Sequence, residues 1–269
     1  MLRALVALES DLASSIALRY ACQMANIVGM ALQTIHVEDA DAEGHAPGTG
    51  WVRRSWEQAL KHDGEEQIAQ LIRTERSSCP SMPPTKVVIG DRDEEILREL
   101  HLESYDLYME GMLQTYSSTN FFKRIRSRLY REAACPIILV KNLLNLNKIA
   151  LVPDAATDPS SIVRTFLKVF KGVEIDLDVL CFRFGTGGGT TREEEAKLDG
   201  VLSHVRTLLD EGGRSPKSCE IVQGTPASAE ELFKDYGLAV SSVYGAANKK
   251  SPLAELLYHV PSPLLLCSP

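Results

Sequence analysis

Five basic side chains crowd one short stretch of this chain: Lys123, Arg124, Arg126, Arg128 and Arg131. Residues 120–133 read as one helix, because Phe121, Ile125, Leu129 and Ala133 recur every four residues and mark its buried face. The cations therefore project elsewhere, either as a solvated charged face or as a surface for an anion such as phosphate. An RNA or DNA footprint is disfavoured: nucleic-acid binders usually carry a basic domain or stripe, and the formal net charge here is -7.

Other chemistry-bearing groups are less convergent. His36, Glu38, Asp39, Asp41 and His45 assemble on paper into a metal site, but the acids belong to a polar, glycine-bearing stretch, 38–50, that reads as a solvated loop, so no metal is expected. The run 185–190, GTGGGT, stands between a strand and a helix, where a dinucleotide fingerprint would lie. It lacks the third glycine at the right spacing, no Gly-Lys-Ser/Thr occurs, and Glu193, Glu194 and Glu195 open the next helix with charges that would repel a phosphate. It reads as a connector. Cys22, Cys79, Cys135, Cys181, Cys219 and Cys267 are far apart with no Cys-x-x-Cys pair, which predicts reduced, mostly buried thiols. Six scattered histidines form no persuasive Ser/His/Asp order, so no catalytic residue is assigned and the chain is read as a non-enzyme.

The elements that must position these groups alternate. In the first half, apolar runs at 3–9, 31–37, 85–89, 107–110 and 137–140 read as strands. Between them lie helices: one carrying Ile16, Tyr20, Met24 and Ile27 and stopped by Gly29, then 52–77, 93–103 and 120–133. The second half repeats the order, with strands at 148–153, 176–182, 219–223, 238–243 and 264–267 and helices at 160–171, 192–211, 228–236 and 253–259. Strict βα alternation with near-continuous apolar strands predicts an α/β protein of parallel sheets covered on both faces.

The two halves also begin and end alike. LVALE to Glu9 is matched by ALVPD to Asp154, and CPIILV by SPLLLC. A tandem duplication follows, with domains at 1–143 and a shortened 144–269 joined by a brief linker at 142–147. With 44% hydrophobic and 24% charged residues the composition is ordinary for globular domains. The N-terminal LRALVAL lacks a cleavage site, and no apolar run approaches the roughly 18 residues of a membrane helix, so a cytoplasmic location without membrane association is expected.

On LVALES, Ser14, Ser15, Ala17, Leu18, Ala21, Ala25, Gly29, LQTIHV, Val88, Gly90, Ile96, Asp106-Leu107 before Gly111 and CPIILVK, the first half resembles the universal stress protein family. The second half is similar more loosely, through Asp154, Ser160-Ser161, Gly224, Leu232, Gly245 and SPLLLC. The resemblance implies two tandem doubly wound domains, each with a five-stranded parallel sheet of the broader adenine nucleotide alpha hydrolase-like fold. Some members hold ATP in a glycine loop, Gly-x2-Gly-x9-Gly-Ser/Thr, whose backbone amides approach phosphate. Only Gly111 of that loop remains in the first half; Gln114 takes the second glycine's place, and Lys123 and Arg124 fall near the Gly-Ser pair, where they would hold phosphate by charge. In the second half Gly245 is followed by Asn248, and the loop is about nine residues shorter than the family spacing.

The same resemblance aims Glu9 and Asp154 at a ribose or base and Val37 at adenine; read from the residues alone, the acids cap the next turn or helix and Val37 is core. It implies a stress-response module with regulatory or interaction roles whose adenine nucleotide binding is lost or weakened. The alternatives are a sensor that takes ATP or another adenine nucleotide in a remodelled first-half pocket, and a slow ATPase, for which no magnesium ligand is evident. Both fifth strands are apolar edges that need cover. Pairing them within the chain gives an intramolecular pseudo-dimer, pairing them between molecules a homodimer or larger oligomer, and regulatory protein partners stay unidentified.

Overall fold

The computed structural model describes residues 1–39, 49–75, 77, 79, 82–113, 117–154, 157–184, 192–242 and 251–267. The first half runs β1 (Leu2–Ala7), α1 (Leu12–Val28), β2 (Met30–Glu38), α2 (Trp51–Thr74), β3 (Lys86–Ile89), α3 (Arg92–Leu102), β4 (Leu107–Gly111), α4 (Ser118–Ile125), α5 (Arg128–Glu132) and β5 (Ile137–Val140). The second runs β6 (Lys148–Leu151), α6 (Ser160–Val169), β7 (Asp176–Phe184), α7 (Arg192–Glu211), β8 (Ser218–Gly224), a 3-10 turn (Pro226–Ser228), α8 (Ala229–Phe233), β9 (Leu238–Ser242), α9 (Pro252–His259) and β10 (Leu264–Cys267). Local signals set the ends. Asp11 caps α1 by accepting from Ser14 N at 2.8 Å, and Gly29, at φ 68°, closes it as the sequence predicts.

Two helices depart from the sequence reading. The predicted helix 120–133 is divided into α4 and α5, because Ser127 takes an extended conformation and starts a new helix. Its apolar stripe survives the break: Phe121, Ile125, Leu129 and Ala133 are all buried. The predicted helix 228–236 is a 3-10 turn followed by the five-residue α8. The thiol expectation needs correcting as well, since Cys22 and Cys79 form a disulfide, while Cys135, Cys181, Cys219 and Cys267 are free.

All ten strands form one sheet in the order β3-β2-β1-β4-β5-β10-β9-β6-β7-β8. Pairing is parallel within each half, and the halves meet where β5 runs antiparallel to β10, Ile138 opposite Leu265. The apolar fifth strands thus cover each other's edges, and both are fully buried. Strand alternation divides the core into two layers that cross the seam. One layer holds Leu5, Tyr108, Leu139, Leu264 and Ala239 under α3, α4, α5, α8 and α9; the other holds Val6, Met109, Ile138, Leu265 and Val240 under α1, α6 and α7.

Side chains fasten the seam on both faces. Lys141, just past β5, is buried and donates through Nζ to the carbonyls of Leu257 (3.0 Å), Tyr258 (2.6 Å) and Val260 at the end of α9. On the opposite face Tyr20 Oη donates to Gly237 O at 2.9 Å, and Lys168 pairs with Asp106 at 2.7 Å.

Strand register also defines equivalent positions. Ala4 pairs with Leu107 as Ile149 pairs with Leu238, so Glu9 corresponds to Asp154, Asp106 to Gly237, and Gly111 to Ser242.

Candidate functional site

At the carboxyl ends of β1 and β4, the place where open α/β sheets bind ligands, the chain has built an ion network. Tyr108 and Glu110 lie two residues apart on β4 and so share one face of the sheet. Glu110 is 2% exposed and accepts five hydrogen bonds: from Tyr108 Oη (2.8 Å), Tyr130 Oη (2.6 Å), Arg124 Nε (2.6 Å), Arg124 Nη2 (2.5 Å) and Arg92 Nη2 (3.1 Å). Arg92, the first residue of α3, also donates to Glu9 Oε1 at 2.9 Å, and Arg124 donates from Nη1 to Asp93 Oδ1 at 2.6 Å.

Electrostatics follow from that geometry. Burial alone would raise the Glu110 carboxyl, but the charges of Arg124 and Arg92 outweigh it and hold the group far below the ordinary carboxylate range. The Tyr108 hydroxyl moves the other way, pushed up by burial and by the Glu110 charge it faces. Three carboxylates, Glu9, Asp93 and Glu110, surround two guanidinium groups. A phosphate brought to Arg92 or Arg124 would displace a carboxylate already in place and meet the remaining ones.

The residues singled out from sequence fall around this network in different roles. Glu9 pairs with Arg92 and lies 3.5 Å from His36 Nδ1. His36 is buried, with Nδ1 at 2.7 Å from Leu8 O and Nε2 at 2.9 Å from Glu38 Oε1, so it ties the ends of β1 and β2 together. Asp39 is described, whereas Asp41 and His45 lie outside the described residues. Val37 is 6% exposed and packs in the core beside Val88. Gly111 faces α1 at very close range: a Cβ there would lie 2.1 Å from Ala13 O. Its lack of a side chain therefore lets the helix sit down on the sheet.

Arg124 is committed to Glu110 and Asp93, while Lys123 is exposed. Lys123 lines a shallow cavity of about 230 Å³ with Asp93, Met112, Asn120, Arg124 and Ser127. Among the other cations of this stretch, Arg128 pairs with Glu132 at 2.9 Å, and Arg126 lies over the Phe122 ring at 5.1 Å.

In the second half, Asp154 follows β6 half-buried; burial, with a contribution from Asp154, pushes the Cys181 thiol up to about 11. Gly245, Asn248, Gln114 and the run 185–190 lie outside the described residues. Register nonetheless puts Ser242, not Gly245, at the position equivalent to Gly111.

Sequence reasoning did not find Arg92, Asp93, Tyr108, Glu110 or Tyr130. A signal for one of them existed: Glu110 closes an otherwise apolar buried strand, LYME, and an acid there needs a cationic partner. Its partners come from α3 and α4, at separations of 18 and 14 residues, and only the tertiary fold brings them together.

The fold, two five-stranded doubly wound units joined through their fifth strands, is similar to solved structures that include universal stress proteins. A universal stress protein from Archaeoglobus fulgidus superposes with a TM-score of 0.65 at 15% identity, covering 99% of this chain and 96% of its own. A functionally unknown protein from Pseudomonas aeruginosa (TM-score 0.59, 18% identity, 99% and 92% coverage) and a putative universal stress protein from the same species (0.59, 17%, 99% and 93%) share the fold. No protein-family model matches the sequence, and no curated protein does.

Proposed function

We propose that this chain is a tandem universal stress protein that acts as a regulatory or interaction module, with adenine nucleotide binding in its first half lost or weakened. One observation carries the reading: the carboxylates of Glu9, Asp93 and Glu110 already occupy Arg92 and Arg124. At the end of β4 the Met112 amide is spent on Val140 O at 2.8 Å, and the missing side chain of Gly111 is filled by Ala13. Lys123 is exposed beside a small cavity and supports only a weak contact to a phosphate group. On this reading the protein is not an ATPase, and it works in the cytoplasm through protein contacts. Native mass spectrometry of protein purified without added nucleotide tests it. The apo mass is expected, and a stoichiometric adenine nucleotide would favour the sensor reading instead.

A further inference from the structure

The two halves differ where their first helices meet the seam. In the first half α1 presents Ala13, Ala17 and Ala21, and the missing side chain of Gly111 lets it approach β4 closely. Aligning the helix starts, Leu12 with Ser160, puts Ser161, Thr165 and Val169 of α6 at those positions, and Ser242 replaces Gly111. Side chains thus stand at α6 and at the end of β9 where the first half has alanines and a glycine. A cleft of about 430 Å³ remains between α6, the end of β9 and the segment 134–136 that leads into β5. That volume is within the usual range of small-molecule sites.

One wall of the cleft carries unused donors. Thr157, in the loop that leads into α6, and Ser161 and Arg164, three residues apart on the first turns of α6, all line the cleft. Thr157 Oγ1 is a buried atom with no hydrogen bond, and neither the Ser161 hydroxyl nor the Arg164 guanidinium makes a hydrogen bond among the described residues, although the Arg164 charge acts on the Asp158 carboxyl and helps to lower it. The other charges at the rim are engaged. Asp106 pairs with Lys168 and accepts from Arg3 N at 2.9 Å; Asp158 accepts from the Ser160 amide and hydroxyl and faces His204. Ala134, Pro136 and Val169 supply an apolar side.

We propose that this seam cleft binds a small phosphate monoester, its phosphate held by Arg164, Ser161 and Thr157 and its short carbon body against Pro136 and Val169. Two hydroxyls and a forked guanidinium suit a group with three terminal oxygens. The site spans both halves, so its occupant would bear on how α6 sits against the seam. It is separate from the network around Glu110 and does not depend on the fate of nucleotide binding there.

Calorimetric titration of the full chain with glycerol 3-phosphate, alongside glycerol and inorganic phosphate, tests the proposal. Saturable binding of the monoester, tighter than either comparison probe, is expected. Arg164→Ala should weaken it by about tenfold or more, the loss of charge-assisted hydrogen bonds. Thermal melting of that variant should stay close to wild type, since Arg164 is exposed, makes no hydrogen bond among the described residues, and acts on the exposed Asp158 only through solvent-screened charge. Absence of saturable binding, equal affinity for glycerol or for inorganic phosphate, or undiminished binding by Arg164→Ala would each overturn the assignment.

Discussion

Arg124 grips Glu110 with two parallel hydrogen bonds, Nε to Oε1 at 2.6 Å and Nη2 to Oε2 at 2.5 Å. The guanidinium that resemblance would aim at a phosphate is thereby spent on a carboxylate of its own chain. Such a bidentate pair is among the stronger protein contacts, and here both groups are largely removed from water. An incoming phosphate has to compete with it on unfavourable terms, because Glu110 would be left charged and buried.

Glu110→Gln should destabilise the fold by about 3–5 kcal/mol, since it leaves Arg92 and Arg124 short of a counter-charge. The pH dependence has a definite sign. Glu110's folded carboxyl is held below its unfolded value of about 4.3, so its stabilisation is present above that pH and is lost as the pH falls below it. Urea unfolding at pH 7 and at pH 4 checks both points. The wild type should lose more stability than Glu110→Gln on acidification.

Gly111→Ala should cost about 1–3 kcal/mol, because the added Cβ would overlap Ala13 O and push α1 off the sheet. Lys123→Ala, at an exposed position nearby, should stay within about 0.5 kcal/mol of wild type. Paired thermal melts decide whether Gly111 serves packing. A Gly111→Ala variant as stable as wild type would contradict the close approach.

The seam makes its own prediction. Ile138 is fully buried opposite Leu265, so Ile138→Lys would place an unpaired charge where the two halves share their strands. The loss should exceed about 3 kcal/mol and appear as loss of folded protein in circular dichroism melts.

Lys141 makes the same seam pH-sensitive. Burial pulls its amine down to about 7, below the unfolded value of about 10.4. The unfolded chain therefore binds the extra proton between those values, and stability should rise with pH across that window, by at most about 1.4 kcal/mol per unit. Lys141→Met should abolish that slope while costing about 1–3 kcal/mol for the carbonyls of Leu257, Tyr258 and Val260 left without their donor. Urea unfolding of both proteins at pH 7 and pH 9 measures the difference.

Much of this architecture was legible in the residues because periodicity is local. The strands 137–140 and 264–267 and the helix 192–211 stand where their apolar pattern puts them. The cover of β5 by β10 followed from the same physics, two apolar edges with unpaired backbone groups. What stayed hidden depends on three-dimensional approach. Ser127 broke a helix whose apolar stripe was continuous, Cys22 found Cys79 across 57 residues, and Arg92 carried no local mark of its role. Gly111 was visible as a glycine, but only the position of Ala13 shows what its missing side chain admits.

Calorimetric titration of the full chain with ATP at low and physiological salt tests the central claim most directly. The account predicts no saturable binding in the micromolar range, and any millimolar binding should weaken as salt rises and in Lys123→Ala. A micromolar dissociation constant that is insensitive to salt and to Lys123→Ala would contradict it, since the carboxylates around Arg92 and Arg124 could not then be excluding phosphate.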